Sequence, residues 1–114
     1  MPKIDMGHGV FIDWSGDYEV TDHGRRRLEL YREKGIPKST GNQFYSRLYE
    51  SVNLTFLEGL DRGDSIKDLR ESLFYIIPKS VITEEKFPRL LEIVLYNLIV
   101  MDMVVEVDSV EDLQ

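Results

Sequence analysis

The first clusters of apolar positions in the chain are two short runs that are rich in β-branched and aromatic residues, as is typical of β-strands. They are VFIDW at residues 10–14 and DYEV at residues 17–20. The Ser15-Gly16 dipeptide between them suits a tight turn, because glycine tolerates a positive φ. The pattern predicts a β-hairpin made of these two runs.

The positions that follow repeat with the period of a helix. Thr21 or Asp22 can cap this first helix by accepting hydrogen bonds from its free N–H groups, and Gly35 ends it. The predicted helix covers residues 22–34. Gly24 is its weak point, since glycine in a helix interior costs up to ~1 kcal/mol relative to alanine.

A second helical pattern is predicted to start after a Ser39 or Thr40 cap. Its core-facing stripe consists of Phe44, Tyr45, Leu48, Tyr49, Val52, Phe56 and Leu60. Leu54 and Leu57 fall outside this stripe, one turn apart among charged residues. Two such neighbours can form a docking surface, which Tyr75 on the polar side of the next helix would extend. The alternative is that another element covers both leucines within the monomer.

Two further helices are predicted in the second half of the chain. Asp64 or Ser65 starts the third helix. Its predicted buried face is formed by Ile66, Leu69, Leu73, Ile76 and Ile77. The fourth helix is predicted to begin near residue 84, after a Thr83 cap. Because residues 90–100 are apolar almost all round, we expect this helix at the centre of the core.

Residues 101–108 (MDMVVEVD) return to the alternation of a half-buried strand. The predicted buried side carries Met101, Met103, Val105 and Val107. The predicted fold is therefore α+β and mainly helical, with an N-terminal β-hairpin, four helices and a short C-terminal strand beside the hairpin. A length of 114 residues suits one domain over residues 1–114.

Composition narrows the classes of function. The chain has no cysteine, which excludes disulfides, thiolate nucleophiles and thiolate metal sites. It carries 14 Lys/Arg against 21 Asp/Glu, and residues 64–114 alone carry five against eleven. No long apolar run of a secretory signal or membrane anchor is visible. We therefore expect a cytoplasmic protein without a membrane partner.

The strongest local charge feature is a run of three arginines, Arg25, Arg26 and Arg27, with Lys34 two turns later. Guanidinium groups bind phosphate in a bidentate manner, so this helix face is a candidate phosphate contact. The alternative is a solvated face on which Arg25, Arg26 and Arg32 pair with Glu29, at ~0.2–0.5 kcal/mol for each pair. Because the run has acidic neighbours and lies in an acidic chain, we favour the solvated face.

Residues 18–35 (YEVTDHGRRRLELYREKG) resemble the passage from the wing strand to the following helix in winged-helix transcription regulators. In that family a Tyr-x-(Val/Leu)-Thr strand end is followed two residues later by glycine and an Arg-rich helix. The match is carried by Tyr18, Val20, Thr21, Gly24 and Leu28. The resemblance implies a nucleic-acid-binding regulator. The family places its recognition helix before the wing, however, and only 17 residues precede Tyr18 here.

The remaining candidates for chemistry are histidines and carboxylates. His8 and His23 are the only histidines and lack the repeated spacing of a metal site. Asp61, Asp64 and Asp68 lack the twelve-residue calcium pattern that ends in glutamate. No spacing places a nucleophile beside a base. We expect no metal, cofactor or enzymatic activity.

The predicted function is a protein-interaction or regulatory module that contacts another protein or a second copy of itself. A winged-helix-like nucleic-acid-binding regulator is the alternative.

Overall fold

The computed structural model describes residues 3–36 and 43–107. In chain order, the elements of this part are β1 (Ile4–Asp5), β2 (Phe11–Ile12), β3 (Asp17–Val20), α1 (Asp22–Lys34), α2 (Gln43–Asp61), α3 (Ile66–Ile76), α4 (Phe87–Val100) and β4 (Val104–Val107). The predicted fold class is confirmed: the structure is α+β and mainly helical, with an N-terminal β-hairpin, four helices and a C-terminal strand.

The strands of the hairpin differ from the predicted ones. β2 pairs antiparallel with β1, and β3 pairs antiparallel with β4. The expected pairing of residues 10–14 with 17–20 is therefore wrong. The turn between them is closed by the Gly16 N–H, which donates to the Asp13 carbonyl at 2.9 Å, and neither central residue has a positive φ. Such turns splay the flanking strands instead of pairing them.

The reversal between β1 and β2 uses the segment Gly7-His8-Gly9. All three residues have a positive φ, of 84°, 55° and 77°. The loop is closed by the Met6 N–H, which donates to the Val10 carbonyl at 2.9 Å. Positive φ values suit a tight hairpin reversal, and glycine adopts them without steric cost. The first hairpin is therefore made by this glycine-rich segment.

Helix α1 has the predicted bounds. Thr21 caps it by accepting a hydrogen bond from the Gly24 N–H at 3.1 Å, and Gly35 follows its last residue. The Thr21 N–H and hydroxyl also donate to the carbonyls of Met103 (3.0 Å) and Asp102 (2.5 Å). The start of α1 is thus tied to the segment that leads into β4.

Helix α2 is the central element of the fold. It contacts α1, α3, α4 and β3. Val52, Phe56 and Leu60 are buried, as the predicted stripe requires, and the predicted cap at Ser39 or Thr40 lies outside the described residues. We expected α4 to occupy the centre, but α4 packs on α2, β2 and β4 and leaves part of its surface exposed.

The ends of α3 and α4 depart from the prediction in two places. Ile76, expected on the buried face of α3, is 67% exposed because the helix ends there. Helix α4 begins at Phe87 instead of near residue 84. The Thr83 carbonyl accepts hydrogen bonds from the N–H groups of Lys86 and Phe87, so residues 83–86 form a turn before the helix.

The predicted burial of residues 101–108 is right for Met103, which is 3% exposed, and wrong for Met101 and Val105. Val104 is buried, whereas Val105 is 46% exposed and Met101 lies exposed at the end of α4. The register with β3 sets this outcome, because Val104 lies opposite the buried Val20. Residues directly opposite each other in an antiparallel pair share one face of the sheet.

Candidate functional site

The two leucines predicted as a docking surface do not form one. Leu57 is 0% exposed and belongs to the core, and Leu54 is partly buried against it. The reason is the central position of α2, which is covered on several sides. The prediction of a partner surface is therefore wrong for Leu57. Leu54 is half-buried and packs against the core.

Tyr75, the third residue of that prediction, lies at the surface. Its side chain is 85% exposed near the end of α3, between Phe74 and the exposed Ile76. The Phe74 ring makes edge-to-face contacts with the rings of Tyr75 (5.6 Å between centroids) and Phe87 (5.4 Å). These three rings form an aromatic cluster, defined here as Phe74, Tyr75 and Phe87, that is open to solvent at Tyr75.

The aromatic cluster lines an open groove between α3 and the start of α4. The groove has a volume of about 630 Å³. Its described lining residues are Lys67, Arg70, Glu71, Phe74, Tyr75, Glu84, Phe87 and Pro88. We refer to it as the α3–α4 groove. It combines apolar and charged side chains, as ligand and peptide sites commonly do.

Two cationic side chains at or beside the groove lie close to aromatic rings. The Arg70 guanidinium lies 5.1 Å from the centre of the Trp14 ring, and the Lys79 ammonium lies 5.6 Å from the centre of the Phe74 ring. Both distances fall within the range of cation–π attraction. Lys79 also forms an ion pair with Glu84, so the charge of this lining carboxylate is already compensated.

The arginines of α1 have different surroundings. Arg25 forms ion pairs with Asp22 (3.0 Å) and Asp61 (3.5 Å). The Arg27 guanidinium lies 6.0 Å from the centre of the Tyr31 ring. Arg26 and Lys34 are exposed, which both the phosphate-contact and the solvated-face predictions expect.

Two buried tyrosines hold internal hydrogen bonds. The Tyr18 hydroxyl accepts from the Asp13 N–H at 3.1 Å and donates to Glu106 at 3.0 Å, and burial raises the pKa of Tyr18 to about 12. The Tyr31 hydroxyl donates to Glu50, and burial together with this bond raises the pKa of Tyr31 well above its ordinary value. Both phenols therefore stay protonated at neutral pH and link elements that are distant in the sequence.

Two of the three carboxylates considered as calcium ligands have cationic partners. Asp61 forms an ion pair with Arg25, and Asp64 accepts from Arg62 at 2.7 Å. Residues 3–36 and 43–107 bring no three histidine, aspartate or glutamate side chains together in a way that could hold a metal ion. No helix in the same ranges combines the length and apolar character needed to cross a bilayer.

Sequence reasoning found one residue of the groove and missed the rest. Tyr75 was identified, but Lys67, Arg70, Phe74 and Phe87 were not. Lys67, Arg70 and Phe74 recur at spacings of three and four along one side of α3, away from its buried residues, so this pattern was visible in the sequence. The opposing wall at Phe87 depends on how α4 packs.

Comparison of the chain with family models, curated proteins and solved structures finds no match. The groove must therefore be interpreted from its own chemistry.

Proposed function

We propose that the protein is a non-enzymatic interaction module that binds a segment of another protein in the α3–α4 groove. The observation that carries this proposal is the aromatic cluster, whose Tyr75 is 85% exposed at the edge of the groove. Aromatic side chains that bury area at little entropic cost are enriched where proteins meet. The groove thus supplies an anchor site for an apolar side chain.

The energetics suit a weak, reversible contact. Covering Tyr75 and the neighbouring Ile76 would remove apolar surface worth ~1.5–3 kcal/mol for each side chain. Association and side-chain ordering offset part of this gain. We expect dissociation constants of roughly micromolar for a short segment.

The lining chemistry favours binding over catalysis. The described lining residues include two carboxylates, and one of them, Glu84, pairs with Lys79. They contain neither a histidine base nor a serine or cysteine nucleophile. Acyl transfer through a covalent intermediate needs a nucleophile and a base within hydrogen-bond reach.

A selection experiment tests the proposal. A library of random 12-residue peptides is selected on the full chain, and the affinity of each binder is measured for wild type, Tyr75→Asp and Leu30→Asp. Leu30 is the matched control, since it is an exposed apolar helical residue on α1 and does not line the groove. We expect binders that lose at least about tenfold in affinity on Tyr75→Asp and keep their affinity on Leu30→Asp.

Circular dichroism establishes that both variants are folded, which the exposure of the two positions leads us to expect. If no selected peptide depends on Tyr75, the groove is not a docking site and the proposal is wrong.

A further inference from the structure

Helix α4 carries apolar side chains on the side that faces away from the core. Its buried residues are Phe87, Leu90, Leu91, Val94, Leu95 and Leu98. On the opposite side, four residues recur at spacings of four, three and four, as in the seam of a coiled coil. They are Arg89, Ile93, Tyr96 and Val100, and we refer to them as the outer stripe of α4.

The outer stripe is only partly covered. Val100 is 56% exposed, and Ile93 and Tyr96 are partly exposed. Within residues 3–36 and 43–107, α4 packs chiefly on α2, β2 and β4. The stripe is also separate from the α3–α4 groove, whose described lining on this helix ends at Pro88. A helix that is apolar on nearly all sides is normally covered on nearly all sides, so this surface calls for a partner.

The two ends of the outer stripe carry opposite charges. Arg89 stands in the first turn of α4 with its side chain 63% exposed, although it already contacts Glu92 at 3.4 Å. Asp102 is exposed in the turn that follows the helix. Two copies with antiparallel α4 helices place each cationic end beside the partner's anionic end, and the helix dipoles are opposed as well. A parallel pair would bring like charges together.

The middle of the outer stripe is complementary to itself. In an antiparallel pair centred between residues 96 and 97, Ile93 lies opposite the partner's Val100. Asn97 is exposed on one flank of this centre and faces the partner's Asn97, because a two-fold axis brings the same flank of both helices together. A carboxamide both donates and accepts hydrogen bonds, so two copies of it can pair. In this register Arg89 lies within ~3 Å of the partner's Asp102 along the helix axis.

We infer that the protein forms a homodimer through the outer stripes of two antiparallel α4 helices. A second copy under a two-fold axis matches the charged ends, the apolar positions and the central amide at the same time. The inference is independent of the proposed function, since it concerns another surface. The apolar part of the stripe is short and the copies, at −7 each, repel at long range. We therefore expect a weak dimer, with a dissociation constant of roughly 10–1000 µM.

Sedimentation velocity of wild type between about 10 µM and 1 mM protein spans this equilibrium. Val100→Lys should raise the dissociation constant at least about tenfold, because it places a charge against the partner's Ile93. The substitution makes each copy less negative, so a loss of the dimer cannot come from general repulsion. Leu30→Lys makes the same charge change at an exposed apolar position on α1 and should leave the dimer unchanged. Circular dichroism checks that both variants are folded, and lysine is favourable in the last turn of a helix.

Cross-linking tests the orientation, because the chain has no cysteine of its own. We expect a mixture of Ile93→Cys and Val100→Cys proteins to form the mixed disulfide in preference to either self-linked product. In the antiparallel pair, two copies of position 93 are separated by ~10 Å along the axis, which exceeds the span of a disulfide.

Three results would overturn the inference. One is a wild type that stays monomeric over the whole concentration range. Another is a dimer that persists in Val100→Lys; if that dimer is lost in Tyr75→Asp, the second copy occupies the α3–α4 groove instead. The third is preferential linkage of each cysteine variant to itself, which would show a parallel pair. A dimer that is lost in Val100→Lys, kept in Leu30→Lys and captured as the mixed disulfide supports the inference.

Discussion

Replacing Gly24 by alanine tests the close approach of α1 to the backbone of Met103. An added methyl group at position 24 would overlap the carbonyl oxygen of Met103 and lie 2.7 Å from Cγ1 of Val20. The Met103 carbonyl belongs to the backbone and already accepts a hydrogen bond from the Thr21 N–H. It cannot turn away as a flexible side chain could. Helix α1 would have to move off the segment that leads into β4.

The magnitude follows from two opposing terms. Alanine in place of a helical glycine ordinarily stabilises by up to ~1 kcal/mol, and by less near a helix start such as this one. Inserting a methyl group into a packed site costs ~1–3 kcal/mol. The steric term is the larger, so Gly24→Ala should lower the free energy of unfolding by ~1–2 kcal/mol. For a chain of this size the midpoint of thermal unfolding falls by roughly 4–10 °C.

Urea and thermal unfolding followed by circular dichroism measure this loss, and Gly59→Ala is the matched control. Gly59 is also buried in a helix, but its added methyl group would meet the end of the Leu69 side chain, which can change rotamer. We expect Gly59→Ala to lose less stability than Gly24→Ala. If Gly24→Ala is as stable as wild type, or if Gly59→Ala is less stable than Gly24→Ala, the close approach of α1 to Met103 is not the constraint that we describe.

Three further predictions concern a buried tyrosine, the burial of two side chains, and DNA binding. Tyr18→Phe should cost ~1–2 kcal/mol because it removes two hydrogen bonds of a buried hydroxyl. Since the pKa of Tyr18 is raised from 10.0 to about 12, the stabilisation by its hydroxyl is full below pH 10 and is lost as the pH approaches 12. Between pH 10 and 12 the free energy of unfolding should therefore fall less steeply for Tyr18→Phe than for wild type. Equal slopes for the two proteins would contradict this. Leu57→Ala should cost ~2–5 kcal/mol and Tyr75→Ala less than ~0.5 kcal/mol in the same urea assay, and a reversed order would contradict their assigned burial. Wild type should give no salt-sensitive shift of duplex DNA at micromolar protein; a shift that is lost in the Arg26→Glu/Arg27→Glu double variant would favour the nucleic-acid alternative.

Features that depend on local hydrogen bonds could be predicted from the sequence. The start of α1 at Thr21 and of α3 at Ser65 follow from side chains that accept a hydrogen bond from an N–H three residues ahead. The end of α1 before Gly35 follows from the same short range. In each case the residues that determine the boundary lie within one turn of it.

Features that depend on distant contacts could not be predicted from the sequence. The sequence shows that residues 10–14 and 17–20 favour strands, but their partners are set by turn conformation and by β4, which lies more than 80 residues away. Leu57 illustrates the same limit. A helical wheel places it on a polar side, whereas burial depends on how many neighbours surround the helix, and α2 has them on several sides.

One wall of the candidate site could be predicted from the sequence. Tyr75 could be recognised as exposed because it lies on the polar side of an amphipathic helix. The groove beside it needs the first turn of α4, whose position depends on the turn at residues 83–86. A sequence can therefore indicate one wall of such a groove, and only the packing supplies the other.

The resemblance to the wing-to-helix junction has a structural basis in this chain. Every residue that carries it has a packing or capping role; these residues are Tyr18, Val20, Thr21, Gly24 and Leu28. A strand that runs directly into a helix while both touch a neighbouring segment requires a buried strand end, a capping hydroxyl and a residue without a side chain at the contact. The shared residues thus meet demands of the junction itself. Nucleic-acid recognition would need in addition cations that reach phosphate. Arg25 is engaged by two carboxylates, whereas Arg26 and Lys34 are exposed. The nucleic-acid reading of the resemblance therefore stays a prediction, and the DNA experiment tests it.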